Sequence, residues 1–214
     1  IGFIWLPSSG LRIGASVQTP TAMTITERWR WDGICQFRGV KDNLYETPDG
    51  EFTYNLRTPA IFNVGAAYTI GSFGLISADF ERSNSRGMKF SDYDSAYGGN
   101  DDWYEVNNEI RKYAGATNSI RVGAEARIVP EFALRAGYNY KCYSSPEYKD
   151  VTNSFSFGVG YSSAGSFFAD AAVRSTLYPV SWYYPYDDYV ETRSPEVKLV
   201  KNLFDVVLTL GWRF

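Results

Sequence analysis

The sequence predicts an all-β protein, an antiparallel up-and-down β-barrel that spans a membrane. Apolar residues occupy every second position in eight separate segments, which is the period of a strand and not of a helix. Short turns and long connections separate these segments, and the chain ends on an alternating segment with a terminal Phe. A spanning strand needs only about 9 to 11 residues with one apolar face, so the absence of a long apolar run does not exclude a membrane.

In the clearest segment, Leu134, Ala136 and Tyr138 share one face, whereas Arg135 and Gly137 lie on the other. We expect residues 1–5 to be the end of a further strand. The eight segments lie at 11–18, 61–68, 76–81, 119–128, 131–142, 154–161, 167–177 and 204–214.

The connections predict the topology. Short turns are expected near 7–10, 71–72, 129–130 and 162–166, and long connections near 20–50, 83–116, 143–152 and 178–202. Tight turns at one rim and long loops at the other describe an up-and-down barrel, with the short turns facing the periplasm in bacterial outer membranes. A soluble β-sandwich also alternates, but charged residues beside Gly on the polar faces and aromatic residues near strand ends favour the membrane barrel.

Composition excludes several function classes. The 214 residues include no His and two Cys, and the formal net charge is −3. Ser-His-Asp and Cys-His catalysis and imidazole-bound zinc or copper are therefore excluded. The acidic balance, without a basic block, argues against nucleic acid. We predict no catalytic residue, no metal, no cofactor and no enzyme activity.

Several segments carry a family resemblance. LRIGASVQTP (11–20), RTPAIFNVGAAY (57–68), SIRVGAEARIVPEFALRAGYNY (119–140), SFSFGVGY (154–161) and LTLGWRF (208–214) resemble the second half of FadL-type outer-membrane channels. The resemblance implies a bacterial outer-membrane location and passive transport of hydrophobic compounds such as long-chain fatty acids. The alternative is a structural or docking barrel subunit of an outer-membrane secretion or assembly complex, since FadL-like barrels have been recruited for export.

The resemblance also bears on domain organisation. Members of that family have 14 strands and an N-terminal hatch, so we expect residues 1–214 to be a single barrel region, the C-terminal part of a larger barrel without the hatch and first strands. The start at Ile1 and the absence of a leader agree with a fragment. The other interpretation is a complete eight-stranded barrel, whose interior side chains would fill.

Candidate ligand contacts follow from chemistry. Arg135 and Arg174 are expected on the lumenal face in the extracellular half, where a guanidinium matches a fatty-acid carboxylate. The alternative is a lattice of lumenal ion pairs between neighbouring strands. Trp29, Trp31 and Phe37, in the connection at 20–50, are candidates for hydrophobic capture, with loop packing or an interfacial girdle as the alternative.

Three further expectations concern the remaining segments. Trp212 and Phe214 resemble the C-terminal signal that the barrel assembly machinery recognises, and the other expected partners are outer-membrane lipids, hydrophobic small molecules and proteins of an envelope complex. Residues 103–113 are expected to form a short helix. Cys35 and Cys142 both fall on the extracellular side, which leaves a disulfide between them open.

Overall fold

The computed structural model describes residues 1–35, 38, 43–93, 102–163, 166–183 and 197–212. Within these ranges it contains sixteen strands, a 3-10 helix at Ser85–Gly87 and one α-helix, α1 (Asp102–Tyr113). The strands are β1 (Gly2–Trp5), β2 (Leu11–Gln18), β3 (Ala22–Trp29), β4 (Asp32–Cys35), β5 (Asn43–Glu46), β6 (Gly50–Arg57), β7 (Ile61–Ile70), β8 (Gly74–Asn84), β9 (Lys89–Asp92), β10 (Ala116–Val129), β11 (Phe132–Ser144), β12 (Lys149–Ser162), β13 (Phe167–Leu177), β14 (Ser181–Tyr183), β15 (Val197–Leu199) and β16 (Asn202–Trp212).

Nine strands form one antiparallel sheet in the order β1-β2-β7-β8-β10-β11-β12-β13-β16. The eight predicted strands and the N-terminal stub are all members of it, and each pairs with the next long strand along the chain. The predicted fold class is confirmed. Among the described residues, no helix is long and apolar enough to cross a membrane.

The predicted long connection at 143–152 is wrong. The strands β11 and β12 run through these residues, and a four-residue turn, 145–148, joins them. The backbone N–H of Ser145 donates to the carbonyl oxygen of Tyr148 at 3.0 Å and closes this turn. The pairs Tyr143 with Asp150 and Ser144 with Lys149 continue the ladder beyond the segment in which apolar residues alternate.

The nine-stranded sheet has one apolar face that is largely exposed. Phe157 of β12 and Val206 of β16 lie in one row, with Val173 of β13 between them, and they are 65% and 68% exposed. Ala124 and Ala136 pair directly at the middle of this face. Exposed apolar side chains in such a continuous row would be unfavourable in water, whereas a hydrocarbon phase solvates them.

The chain divides into two compact units. The first comprises residues 1–19, 60–84 and 115–214 and contains the nine-stranded sheet; the second comprises residues 20–59 and 85–114. The second unit contains a three-stranded antiparallel sheet, β3-β6-β9, the β4–β5 hairpin and α1. Segments that the sequence pattern left as long connections, at 20–50 and 83–116, therefore carry a folded unit.

An aromatic cluster holds the second unit together. Trp103 of α1 stacks on Phe90 of β9 with ring centroids 5.2 Å apart, and it also contacts the rings of Phe52 and Tyr54 on β6. Its indole N–H donates to Asp92 Oδ1 at 2.7 Å. The predicted helix at 103–113 is confirmed, since α1 supplies this tryptophan from its first turn.

Candidate functional site

The candidate site is the charged face of the nine-stranded sheet, which lies opposite the apolar face. Residues that pair directly across strands share a face, so the register joins Asp79, Arg121 and Asn139 in one row and Glu125, Arg135 and Gly158 in another. Among the described residues, nine ionised side chains of this face form three groups of ion pairs.

The first group joins β8 and β10. Arg121 Nε donates to Asp79 Oδ1 at 2.7 Å, and its Nη2 donates to Glu81 Oε2 at 2.8 Å. The two carboxylates stand two residues apart on β8, and the planar guanidinium spans both. This group carries one negative charge in excess.

The second group, which we call the four-residue network, contains Glu125, Arg127, Arg135 and Asp170. Glu125 accepts hydrogen bonds from Arg127 Nε at 3.1 Å and from Arg135 Nε at 2.9 Å. Arg135 also donates through Nη1 to Asp170 Oδ1. The network has two positive and two negative charges, and charge-assisted hydrogen bonds of this kind are stronger than neutral ones.

The contact between Arg135 and Asp170 crosses an intervening strand. Arg135 lies on β11 and Asp170 on β13, and β12 runs between them with Gly158 and Gly160 on the charged face. A Cβ at Gly160 would lie 2.5 Å from Asp170 Oδ1 and 2.9 Å from Arg135 Nη1. The missing side chain at Gly160 therefore opens the path through which the two charges meet.

The third group is a pair across β13 and β16. Arg174 donates from Nε at 3.0 Å and from Nη2 at 2.8 Å, both to Asp205 Oδ2. The two residues pair directly in the register, so the ion pair needs no strand to be crossed.

The structure corrects the predicted position of Arg135. This residue is the fourth of β11, which begins directly after the short turn at 130–131, so it lies toward the short-turn rim and not in the extracellular half. Arg174 is the eighth residue of β13 and lies toward the opposite rim, as predicted. Both β11 and β13 begin after a short turn, so the number of residues from the start of the strand gives the distance of each residue from the short-turn rim.

The four-residue network borders a cavity of about 290 Å³ on the charged face. Phe168 lines it as well, together with Pro130 and Glu131 of the short turn between β10 and β11. Between the ionised groups the charged face carries small side chains, which leave its surface open: Ala67, Ser77, Gly123, Gly137 and Ser156.

The predicted capture residues lie in the second unit, which is described by itself. Trp29 ends β3, and its indole ring lies over Gly50 of β6; it is 47% exposed. Trp31 follows it and is 72% exposed, and the adjacent β4–β5 hairpin presents Ile34 in the same way. Phe37 lies outside the described residues.

The same unit holds two side-chain arrangements that the sequence reading missed. Tyr54 donates its hydroxyl to Glu27 Oε1 at 2.8 Å, and this hydrogen bond raises the pKa of Tyr54 above its ordinary value. The buried amide of Asn107 binds the backbone of Phe90, accepting from its N–H and donating to its carbonyl oxygen, each at 2.9 Å. Two sequence features pointed to them: the alternation at 52–56, which favours a strand around Tyr54, and the polar Asn107 inside the predicted helix.

The remaining predicted residues are placed as follows. The indole of Trp212 is exposed on the apolar face and contacts the ring of Phe167 with centroids 5.3 Å apart, as expected for an interfacial aromatic pair. Phe214 lies outside the described residues. Cys35 is exposed and Cys142 is buried, and both are free thiols, so the disulfide is not formed.

Comparison with known proteins supports the fold. No protein-family model and no curated protein matches the sequence. Among solved structures, a Pseudomonas aeruginosa FadL homologue is similar with a TM-score of 0.63 and 14% identity, over 99% of this chain and 51% of that chain. The CymD monoaromatic hydrocarbon channel is similar with a TM-score of 0.56 and 16% identity, over 83% of this chain and 45% of that chain.

The chain therefore spans about half the length of these two structures. Its fold is the one that the sequence resemblance to FadL-type channels predicts, and that resemblance is confirmed for the fold. The predicted place in a bacterial outer membrane agrees with this fold.

Proposed function

We propose that this chain forms part of the wall of an outer-membrane channel through which hydrophobic compounds pass passively. The observation that carries the proposal is the division of the nine-stranded sheet into an exposed apolar face and an ion-paired charged face. Hydrocarbon outside and a polar lumen inside account for both faces of one sheet. The CymD structure, named as a channel for monoaromatic hydrocarbons, supports a transport role for this fold.

In this proposal, the sheet belongs to the C-terminal part of a 14-stranded barrel, as the sequence resemblance implies. Outer-membrane lipids contact the apolar face. The barrel assembly machinery recognises Trp212 and Phe214 at the end of the chain. The short turns face the periplasm, and the second unit, which is built from two long connections, lies outside the cell.

Capture of the hydrophobic compound is assigned to the exposed aromatic residues of the second unit. Trp29 and Trp31 present their rings to the surroundings, and Phe37 is the third candidate by sequence. A long-chain fatty acid is one substrate within the proposed class, with Arg135 or Arg174 as the cation for its carboxylate. Both guanidinium groups already bind carboxylates of the chain itself.

The test is uptake of a labelled long-chain alcohol by cells that produce the full chain and lack their own channel for hydrophobic compounds. We expect faster uptake than in cells without the chain, and a several-fold loss when Trp29 and Trp31 are both replaced by Ala. Tyr104→Ala is the matched control, because Tyr104 is an exposed aromatic residue of the same unit. Equal uptake with and without the chain would contradict the proposal.

A docking role is the second candidate. The observation that favours it is a separately folded unit with exposed apolar residues close together in sequence and pairing, namely Trp31 directly before the β4–β5 hairpin and Ile34 and Tyr45 on its two faces. Such patches are typical of protein interfaces. A stoichiometric envelope partner that is lost with the Trp31→Ala and Ile34→Ser replacements, in a chain that supports no uptake, would favour docking over transport.

A further inference from the structure

We infer that Arg82 and Lys149 form a binding site for the phosphate groups of a membrane lipid, on the apolar outer surface of the channel wall at the rim opposite the short turns. The inference rests on the orientation given with the proposed function, and it adds a lipid ligand and the residues that hold it. In that orientation the lipid belongs to the outer leaflet.

Both residues lie on the apolar face of the nine-stranded sheet. Arg82 of β8 pairs with Phe62 of β7 and with Asn118 of β10, and Lys149, the first residue of β12, pairs with Ser144 of β11. Among the described residues of the nine strands, they are the two charged side chains of this face, and both are cations.

The chain itself does not neutralise these two cations. Both side chains are exposed, and neither forms an ion pair with a carboxylate of the described residues. Asp150 follows Lys149 along β12 but lies on the charged face, because successive side chains of a strand alternate. Four Arg side chains of the charged face bind carboxylates of the chain, whereas this end of the apolar face keeps two positive charges.

Both cations stand at the ends of their strands nearest the rim opposite the short turns. Arg82 comes directly after the apolar positions Gly74 to Phe80, and it lies eight residues beyond Gly74. This is about 27 Å along the strand and about 21 Å in height at a tilt of about 40°. Lys149 is twelve residues from Tyr161, at the other end of β12, which gives about 31 Å in height. The apolar band of such barrels is about 25 Å tall, so Arg82 lies near its outer boundary and Lys149 lies beyond it, among the lipid headgroups.

The surroundings of Arg82 suit an amphiphilic anion. Its Nη1 donates to Asn118 Oδ1 at 2.9 Å, and this hydrogen bond orients the guanidinium beside a half-buried amide. The remaining guanidinium N–H groups and the amide N–H groups of Asn118 are donors that match phosphate oxygens. The exposed rings of Phe62, beside Arg82, and Phe80, toward the middle of the apolar face, offer contacts to the acyl chains of the same lipid.

Lys149 supplies a charge for a second phosphate. The strands β10 and β11 run between β8 and β12, so the two cations are about 14 Å apart across the strands. This spacing suits two phosphate groups better than one. A lipid whose headgroup carries two phosphates therefore meets both cations at once, and each cation should strengthen its binding about fivefold.

The experiment measures binding of fluorescent lipid A, which carries two phosphates, to the purified full chain in a neutral detergent. Lipid A without its phosphates is the comparison probe, and we expect it to bind at least tenfold more weakly. Arg82→Gln and Lys149→Gln should each weaken binding of the phosphorylated probe about fivefold, and the double replacement should bring it close to the level of the comparison probe. Lys141→Gln is the matched control and should leave binding unchanged, because this exposed cation lies near the same rim but on the charged face.

Equal binding of the two lipids would overturn the inference, and so would an equal loss with Lys141→Gln, which would show an effect of net charge alone. Inorganic phosphate at millimolar concentration identifies the source of the phosphate: it should not displace the lipid, and full displacement would assign the site to free phosphate instead. Loss of the lipid preference in a chain that supports uptake contradicts this inference alone, whereas lack of uptake with the preference intact contradicts the transport function alone. Heat-modifiable migration on gels verifies that each variant is folded.

Discussion

Gly160 offers a sharp test of the ion network, because a single methyl group at this position should separate two charges. An alanine Cβ would lie 2.5 Å from Asp170 Oδ1 and 2.9 Å from Arg135 Nη1, so one side chain must move. Gly158, two residues earlier on the same face, is the matched control. Its Cβ would meet Ala171 O at 3.3 Å, Ala172 Cβ at 3.5 Å and Ala172 Cα at 3.8 Å, so no ionised group lies among its nearest atoms.

Two opposing effects set the magnitude. Glycine in a strand interior is less stable than alanine by roughly 0.5 to 1 kcal/mol, so Gly158→Ala should stabilise the chain by about that amount. The side chains of Arg135 and Asp170 are 45% and 33% exposed, so solvent screens their ion pair and it contributes at most about 1 kcal/mol. Gly160→Ala should therefore be neutral or destabilising, about 1 kcal/mol less stable than Gly158→Ala.

The assay is urea unfolding of the full chain in lipid vesicles, followed by tryptophan fluorescence, in the parent and in an Asp170→Ala background. With Asp170 shortened, its carboxylate no longer obstructs position 160, and Arg135 loses the acceptor that holds its Nη1 there, so the guanidinium can move aside. Gly160→Ala should then stabilise the chain nearly as much as Gly158→Ala. The double-mutant cycle should give a coupling free energy of about 1 kcal/mol. Equal stabilisation by the two alanines in the parent, or no coupling, would refute the role assigned to Gly160.

Three further predictions concern the two faces, assembly and the second unit. Ala124→Arg should lower the free energy of unfolding in vesicles by roughly 2 to 4 kcal/mol, because it places a charge in hydrocarbon, and Gly123→Arg should cost less; equal losses would show that the faces are wrongly assigned. Deletion of Phe214 should reduce the heat-modifiable, inserted fraction in outer membranes, and unchanged insertion would remove its role as a signal. Asn107→Ala should lower the free energy of unfolding by about 1 to 3 kcal/mol and speed hydrogen exchange at the Phe90 amide, because both hydrogen bonds to the Phe90 backbone are lost. Unchanged exchange would contradict this role of Asn107.

The spanning strands could be predicted from the sequence because one property, alternation, persists over many residues. The segment at 131–142 alternates through all its positions, and in the structure it forms β11, Phe132–Ser144. The strands of the sheet in the second unit show a weaker alternation of apolar and polar residues. Glu27 interrupts the apolar face of β3, and β9 has only four residues, so pairing with β6 decides its structure.

The charged face was predicted as a composition but not as a set of contacts. Balanced signs on one face indicated ion pairs, and the pairs exist. Which residues pair depends on the register between strands, and the contact of Arg135 with Asp170 depends also on a glycine in a third strand. No local pattern in one segment contains that information. The height of Arg135 depends on the direction of its strand: β11 runs away from the short turn at 130–131, so a residue near its start lies near that turn.

The pairing of β6 with β9 has a consequence for the order of folding. These strands come from two different connections, and β7 and β8 lie between them along the chain, so Arg57 and Lys89 pair across thirty-odd intervening residues. Closing a loop of that length by itself would cost several times RT in chain entropy. The β7–β8 hairpin already brings both ends together, because Ile61 pairs with Ser83. The β3-β6-β9 sheet therefore needs little further loop closure, and we expect it to form only after the β7–β8 hairpin has reached its register. A register slip in that hairpin would delay both.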